Sequence, residues 1–280
     1  MRDSFRSVGA DGLRQESLPM HLYGLAKRWF WDPAAIDFTQ DAADWQKLTP
    51  VEQDVILRLT SLFQAGEEAV TLDLLPLLGV IAREGRLEEE MYLTSFLFEE
   101  AKHVEFFRRF LDAIGVKEDL HRYHTESYKR IFYEELPAAM QRLTIDPSPV
   151  AQAEAAVTYN IVVEGLLAET GYQAFYEMLE RNGIMPGMRA GLQHTRRDES
   201  RHIAWGIYHC SRLVAEDLRL KEVIHDRANA LVFSSLRMIE ELFEAYDPVP
   251  FGLSLRDFLT YAMDQYQRRM SAIENGSLEV

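Results

Sequence analysis

The chain has 280 residues, of which 47% are hydrophobic and 27% charged, a balance typical of folded globular proteins that excludes disorder as the main state. Thirty basic and 45 acidic side chains leave a formal charge of −15, which repels phosphate backbones and excludes nucleic acid as a principal partner. The single cysteine, Cys210, excludes an intramolecular disulfide and any site built from several thiolates.

The sequence shows no export signal and no membrane span. Met1–Gln15 has no apolar core of a secretory signal. The longest apolar stretch, Leu74–Ala82, contains Pro76 and Gly79 and is far shorter than the roughly 20 residues that cross a bilayer. We therefore expect a cytoplasmic protein. About the first 15 residues and the last six, near Asn275–Val280, are expected to be flexible.

From Thr49 onward, apolar residues recur at spacings of three and four, which predicts an all-helical chain. Thr49-Pro50-Val51-Glu52 is a capping box with proline at the first helical position, and it opens a helix that runs to about Ala82. Further helices are predicted at about 86–114, 126–143, 150–180, 188–215, 220–246 and 254–274. No change in composition marks a boundary, so residues 1–280 are expected to form a single domain.

Two Glu-x-x-His motifs are candidates for metal binding. They are Glu100-Ala101-Lys102-His103 and Glu199-Ser200-Arg201-His202, each within a predicted helix. Residues three apart share one helix face, so each motif can offer a carboxylate and an imidazole to the same ion. One such motif often occurs by chance, but two are stronger evidence.

The spacing of two further glutamates supports this interpretation. In an antiparallel helix pair, residues equally far from the turn lie at the same height. The midpoint of Glu67 and Glu100 is 83.5, and the midpoint of Glu164 and Glu199 is 181.5, so both fall in predicted turns. Each predicted hairpin thus places a single glutamate level with a Glu-x-x-His motif.

The helix faces distinguish these glutamates from their acidic neighbours. Glu67 lies on an apolar stripe with Phe63 and Val70, whereas Glu68 does not and is expected nearer to solvent. Glu100 also lies on an apolar stripe, and Glu99 falls off it. The run Glu88-Glu89-Glu90 near a helix start is expected to be a solvated face. The other histidines and Cys210 are expected to have no role in chemistry.

Four glutamates and two histidines on four helices resemble the dinuclear carboxylate site of ferritin-like four-helix bundles. Four buried carboxylates need compensating charge, which two divalent ions provide. Oxygen ligands with one imidazole per ion favour iron and manganese. We therefore predict a ferritin-like bundle with additional helices, and the predicted ligands are Glu67, Glu100, His103, Glu164, Glu199 and His202.

Beyond these ligands, the sequence resembles the ribonucleotide reductase small-subunit-like ligand-binding oxidases, a branch of the ferritin-like superfamily. The resemblance covers most of the chain. Its motifs are Phe30-Trp31-Asp32-Pro33, Ile36-Asp37-Phe38, Ala65-Gly66-Glu67-Glu68-Ala69-Val70-Thr71, the run Gly85–Gly115, Ile131-Phe132-Tyr133, Glu135-Leu136-Pro137, Thr158-Tyr159-Asn160, Val163-Glu164-Gly165, Gly171-Tyr172, Asp198-Glu199 and Arg201-His202.

The resemblance implies one manganese and one iron ion with Glu100 as a bridge. Manganese would lie in the site of Glu67, Glu100 and His103, and iron in the site of Glu164, Glu199 and His202. Asp198 would orient His103, and Tyr172 would lie nearby.

The resemblance also implies the chemistry. Dioxygen activation would form an ether bond between the Val70 β-carbon and the Tyr159 oxygen. In such a bundle these two residues lie on the same side of the metals, at heights that differ by roughly 3 Å. A long-chain fatty acid would bind with its carboxylate at the metals, a lipid would be the external substrate, and the protein would be a homodimer.

Two alternatives stay open. The first is a reductase small subunit without its radical tyrosine. Such proteins carry a tyrosine four residues after the first ligand histidine, where this chain has Phe107, and the tail Ile273–Val280 has no tyrosine that could relay a radical. The second alternative is a lipid-binding or metal-storing bundle without turnover.

Overall fold

The computed structural model describes residues 5–10 and 12–275, and within these ranges the regular elements are all helical. The predicted all-α class is confirmed. In chain order the helices are α1 (Leu18–Arg28), α2 (Thr39–Trp45), α3 (Pro50–Arg83), α4 (Leu87–Ala113), α5 (residues 126–142), α6 (residues 149–182), α7 (Pro186–Glu216), α8 (Leu220–Phe243) and α9 (Leu255–Asn275). Helices α5 and α6 contain π-helical turns, at Arg130–Glu135 and Val157–Ala168 respectively.

Two long helical hairpins form as the sequence predicts. At the start of α3, the Glu52 amide donates to the Thr49 hydroxyl at 3.3 Å and the Thr49 amide donates to the Glu52 carboxylate at 2.8 Å. The turns that follow α3 and α6 contain Gly85 and Gly183, whose φ angles of 72° and 64° favour glycine. Both turns therefore occur where the midpoints of the paired glutamates had placed them.

The two hairpins pack together into a four-helix core. Helix α3 packs along α4, α6 packs along α7, and α4 also contacts α7. Helices α8 and α9 cover α6, while α1 lies against α4 and α7. This is the predicted ferritin-like bundle with additional helices, and it leaves the middle of α3, α4, α6 and α7 facing one another.

Helices α1 and α2 precede Thr49 and were not predicted. Helix α2 is only seven residues long, and its place depends on contacts distant in sequence. The Asp41 carboxylate accepts hydrogen bonds from the amides of Gly187 and Met188 at 2.9 and 2.7 Å, and Asp44 accepts from the Met185 amide at 3.0 Å. These two carboxylates therefore satisfy free amides at the start of α7, where negative charge is stabilising.

The prediction of a solvated acidic run at Glu88-Glu89-Glu90 was wrong for its first two residues. Glu88 is 1% exposed and Glu89 is 3% exposed. Glu88 pairs with Arg6 at 3.0 Å, and Glu89 lies 3.8 Å from the guanidinium of Arg212 on α7. Arginines from other segments cover this end of α4, and the local sequence of α4 does not reveal them.

At the ends of the chain, Arg6 and the backbone amide of Arg14 both contact Glu88. Asn275 is the last residue of α9. The remainder of the C-terminal segment for which flexibility was expected, residues 276–280, lies outside the described residues, as do residues 1–4 and 11. Within the described residues, no helix combines the length and apolar character that crossing a membrane requires.

Candidate dinuclear metal site

The six predicted ligands meet in the middle of the four-helix core and form two overlapping clusters. One cluster contains Glu67, Glu100, His103 and Glu199, and the other contains Glu100, Glu164, Glu199 and His202. Within each cluster the potential ligand atoms all lie within 4.8 Å of one another. Glu100 and Glu199 belong to both clusters, so each can bridge two ions. The resemblance had implied a bridge only at Glu100.

Burying these carboxylates and imidazoles costs free energy when no cation is bound among them. The four glutamates are between 1% and 5% exposed, and both histidines are fully buried. Burial raises the pKa of Glu67 and of Glu164 well above the usual range. Burial alone would lower the pKa of His103 and His202, but the surrounding carboxylates outweigh it and raise both. The site therefore favours positive charge at its centre.

The donor set fits two divalent ions. Neither carboxylate oxygen of Glu100 has a hydrogen-bond partner among the described residues, and the same holds for Oε1 of Glu164 and Oε2 of Glu199. The Nδ1 atom of His202 lies 2.9 Å from Oε1 of Glu100 but lacks hydrogen-bond geometry. Buried polar atoms rarely stay unpaired. Acceptor oxygens and ring nitrogens that converge without pairing are typical of metal ligands.

Each candidate ligand histidine is oriented by an acidic residue from the opposite motif. Nε2 of His103 lies 3.3 Å from Asp198, and Nε2 of His202 lies 3.0 Å from Glu99. In each case Nδ1 faces the cluster and Nε2 faces the orienting carboxylate. This arrangement determines which nitrogen is free to bind a metal.

The two motifs are related by an approximate symmetry that includes the basic residue before each histidine. Lys102, just before His103, donates to Asp198 at 3.1 Å. Arg201, just before His202, donates to Glu99 and to Asp198. Burial alone would raise the pKa of Asp198, but His103, Lys102 and Arg201 hold it well below the usual range.

Glu99 is the functional residue that the sequence analysis missed. It falls off the apolar stripe of α4, yet it is 2% exposed because it faces α7. A signal was present in the shared pattern of the two motifs, acid-Glu-small-base-His, which is Glu99–His103 in α4 and Asp198–His202 in α7.

We expect Glu99→Gln to lower the affinity of the His202 side for a metal ion by about tenfold to a hundredfold, because the imidazole loses its charged partner. Isothermal titration of the metal-free protein measures this change. Glu105→Gln is the matched control on the same helix, since Glu105 only pairs with Arg109 at the surface. Equal metal affinities of the two variants would contradict the orienting role.

Four other residues named in the sequence analysis lie around the cluster. The Tyr172 hydroxyl donates to Glu67. The Tyr159 hydroxyl donates to the backbone carbonyl of Val70 at 3.0 Å, and both residues are buried. Phe107 is fully buried and stacks on Phe63 with 5.5 Å between the ring centroids. An aromatic ring without a hydroxyl therefore lies beside Phe63 and Tyr172.

An apolar cavity opens from the cluster toward the outside of the bundle. It leaves about 90 Å³ of space for the centres of water-sized molecules. Its inner end is lined by the carboxylates Glu67, Glu100, Glu164 and Glu199, and its walls are almost entirely apolar. Gly66 contributes to the wall, and a side chain at this position would first meet the ring of Phe132. A cavity with apolar walls and a few polar groups at one end is suited to an apolar small molecule.

The remaining side chains agree with the sequence analysis. Glu68 is exposed, while its neighbour Glu67 is 5% exposed. Cys210 is buried and unpaired, and burial raises the pKa of its thiol to about 12. The choice of Glu67 as the ligand rather than Glu68 is consistent with this burial.

Fold and site together define a helical bundle protein with a dinuclear carboxylate and histidine centre. The model of the family described as ribonucleotide reductase, small chain, matches residues 19–274, and the chain belongs to this family. Within it, the chain is an R2-like ligand-binding oxidase and an oxidoreductase.

Solved structures of such oxidases are closely similar. A point variant of an R2-like ligand-binding oxidase with an anaerobically reconstituted Mn/Fe cofactor has a TM-score of 0.91 and 40% sequence identity, and the match covers 97% of this chain and 98% of that chain. A second variant, with an aerobically reconstituted Mn/Fe cofactor, has a TM-score of 0.93 and 39% identity over 96% of this chain and 98% of that chain.

Proposed function

We propose that this protein is a dioxygen-dependent oxidase that uses one manganese and one iron ion and oxidises a lipid-like substrate at a C–H bond. The observation that carries the proposal is the pair of ligand clusters that share Glu100 and Glu199 at the inner end of an apolar cavity. A reactive centre at the end of an apolar cavity suits the oxidation of an unactivated hydrocarbon, because the walls exclude water and competing reductants.

In the proposed holoenzyme, manganese is bound by Glu67, Glu100 and His103, and iron by Glu164, Glu199 and His202. The mixed carboxylate and imidazole ligands suit both metals. Bound in the reduced state, the two ions supply electrons to dioxygen and so provide the oxidising power for C–H cleavage. The protein residues hold both ions in a buried centre and orient each imidazole through Asp198 or Glu99.

A first product of this chemistry is an ether cross-link between Val70 and Tyr159. The cross-link breaks the Val70 Cβ–H and Tyr159 O–H bonds and forms one C–O bond, and dioxygen accepts the two electrons and two protons that leave. The hydrogen bond from the Tyr159 hydroxyl to the Val70 carbonyl supports this step. The carbonyl carbon and Cβ of Val70 are bonded to the same Cα, so the phenol oxygen is already close to the carbon it would attack.

The cavity accommodates a long-chain fatty acid in this proposal. Its carboxylate faces the metals among Glu67, Glu100, Glu164 and Glu199, and its chain lies between the apolar walls. The metal-free protein lacks the two divalent ions that would attract this carboxylate. Fatty acid binding should therefore depend on metal loading.

Oxygen uptake tests the proposed oxidase. Protein loaded with manganese(II) and iron(II) without oxygen is exposed to air in an oxygen electrode, with metal-free protein as the control. We expect rapid uptake by the loaded protein alone. Loaded protein that takes up no more oxygen than the metal-free control would contradict the proposal.

Filling the cavity is expected to remove the ligand without unfolding the protein. In Gly66→Leu the new side chain occupies the space beside Phe132, so the amount of fatty acid extracted from the purified protein should fall at least about tenfold. Gly79→Leu is the matched control on the same helix, since Gly79 does not line this cavity. Equal fatty acid content in both variants would show that the ligand binds elsewhere.

The reductase alternative is less well supported. Phe107 occupies the position of the radical tyrosine, and its stacking on Phe63 in a buried cluster leaves no hydroxyl there. Activation of a reductase large subunit by the metal-loaded protein would favour this alternative. A storage role would be favoured if the loaded protein consumed oxygen only once with every lipid offered.

We further propose a homodimer in the cytoplasm. Leu72 and Leu75 on α3 are 62% and 48% exposed and give that helix an apolar outer face suited to a second copy. The unpaired, buried Cys210 is consistent with a reducing compartment. Light scattering of the purified protein measures its oligomeric state.

A further inference from the structure

A polar groove adjoins the apolar cavity. The groove lies between α6 and α9 and is lined by residues that include Gln173, Ser254 and Asp257. It shares two wall residues, Thr170 and Phe258, with the cavity that leads to the metal ligands. The ring of Phe258 packs edge-on against Phe243 with 5.0 Å between the centroids. A ligand that passes Phe258 therefore leaves an apolar environment and enters a polar one.

Thr170 marks this change of environment with a hydroxyl group that lacks a partner. The residue is 3% exposed, and its Oγ1 atom makes no hydrogen bond with any described residue. A buried hydroxyl normally has a partner, and a helical threonine usually finds one in the preceding turn. An unpaired hydroxyl in the wall shared by cavity and groove is suited to a polar group of a ligand.

The polar side chains of the groove that have no partner favour a ligand whose polar group is uncharged. Glu177 and Arg181 pair with each other at 2.7 Å, and the Tyr261 hydroxyl donates to Glu169 at 2.8 Å. Asp257 is exposed, and its carboxylate forms no ion pair with the part of the chain that the structure describes. A carboxylate accepts a hydrogen bond from a ligand hydroxyl but repels a second carboxylate.

We propose that the preferred ligand of this protein is a fatty acid with a hydroxyl group at its far end, of a chain length that matches the distance from the metal ligands to Thr170. Its carboxylate faces the metal centre, its chain fills the cavity, and its terminal hydroxyl accepts from Thr170 and donates to Asp257. This inference rests on the proposed function and specifies the class of ligand. It explains why an apolar cavity has an unpaired buried hydroxyl in its wall.

Calorimetry on metal-loaded, delipidated protein tests the inference with three ligands at each of several chain lengths. The ligands are a saturated fatty acid, the corresponding ω-hydroxy acid and the corresponding dicarboxylic acid. At the optimal length we expect the ω-hydroxy acid to bind about threefold to tenfold more tightly than the plain acid, which is the effect of one or two net hydrogen bonds. The dicarboxylic acid should bind more weakly than the ω-hydroxy acid.

Two threonine variants separate the specific contact from general effects. Thr170→Val should abolish the preference for the ω-hydroxy acid. Thr60→Val should retain it, because Thr60 is also buried and unpaired but lines neither the cavity nor the groove. Equal affinity of the wild type for plain and ω-hydroxy acids at every length, or an undiminished preference in Thr170→Val, would overturn the inference alone. Failure of every acid to bind would overturn the proposed fatty acid ligand as well.

Discussion

Tyr159→Phe is expected to abolish the loss of two hydrogens that we predict for the wild type after metal loading in air. The phenol oxygen is the only atom of Tyr159 that can form the ether, and it already contacts Val70 at 3.0 Å. The phenylalanine ring keeps the packing of this fully buried site and should cost only about 1 kcal/mol of stability through the lost hydrogen bond. Intact-mass spectrometry before and after aerobic loading measures the change.

Tyr128→Phe is the matched control for the cross-link. Tyr128 is also buried, lines the same cavity, and donates its hydroxyl to a backbone carbonyl, that of Leu62 at 2.9 Å. This variant should lose two hydrogens as the wild type does. The proposed cross-link would be refuted by a wild type of unchanged mass, or by a Tyr159→Phe variant that still loses the two hydrogens.

Glu100→Gln is expected to remove tight binding of both metal ions at once. Glu100 lies in both ligand clusters. Replacing its carboxylate with an amide therefore removes a negative charge and a bridging oxygen from each site. An ion at a hundred times its dissociation constant stabilises a native protein by about 2.7 kcal/mol. For a chain of this size this corresponds to roughly 5–10 °C in Tm. The variant should lose this metal-dependent increase in Tm, and bound metal should fall from two ions to below one.

The control for this variant is Glu68→Gln. Glu68 follows Glu67 in the sequence, but it is exposed and belongs to neither cluster. Its Tm increase and metal content should equal those of the wild type. If Glu100→Gln kept two ions and the full increase in Tm, the assignment of a shared site would be wrong.

Much of the site could be predicted because the spacing of residues in a helical sequence determines their distance along the helix axis. The capping box at Thr49 and the turns at Gly85 and Gly183 defined two hairpins, and a constant rise per residue then placed Glu67 level with Glu100. These are local rules, and the structure follows them. The cavity and the contacts of Asp198 depend on how the hairpins pack, which no single helix determines.

The features that the sequence analysis missed also depend on how the helices pack. Glu99 lies off the stripe of α4 but is buried because Arg201 and His202 approach from α7. Glu88 is buried because Arg6 crosses from a distant part of the chain. The π-helical turns that contain Tyr159 and Glu164 were predicted as ordinary helix, since residues 157–167 are buried on every face and their pattern does not distinguish a π-turn from an α-turn.

The most direct test of the central claim is a crystal structure of the aerobically loaded protein with anomalous data at the manganese and iron edges. We predict two ions, with manganese bound by Glu67, Glu100 and His103 and iron bound by Glu164, Glu199 and His202. A single ion, zinc in both positions, or ions bound outside these two clusters would contradict the assignment of this chain as a manganese and iron oxidase.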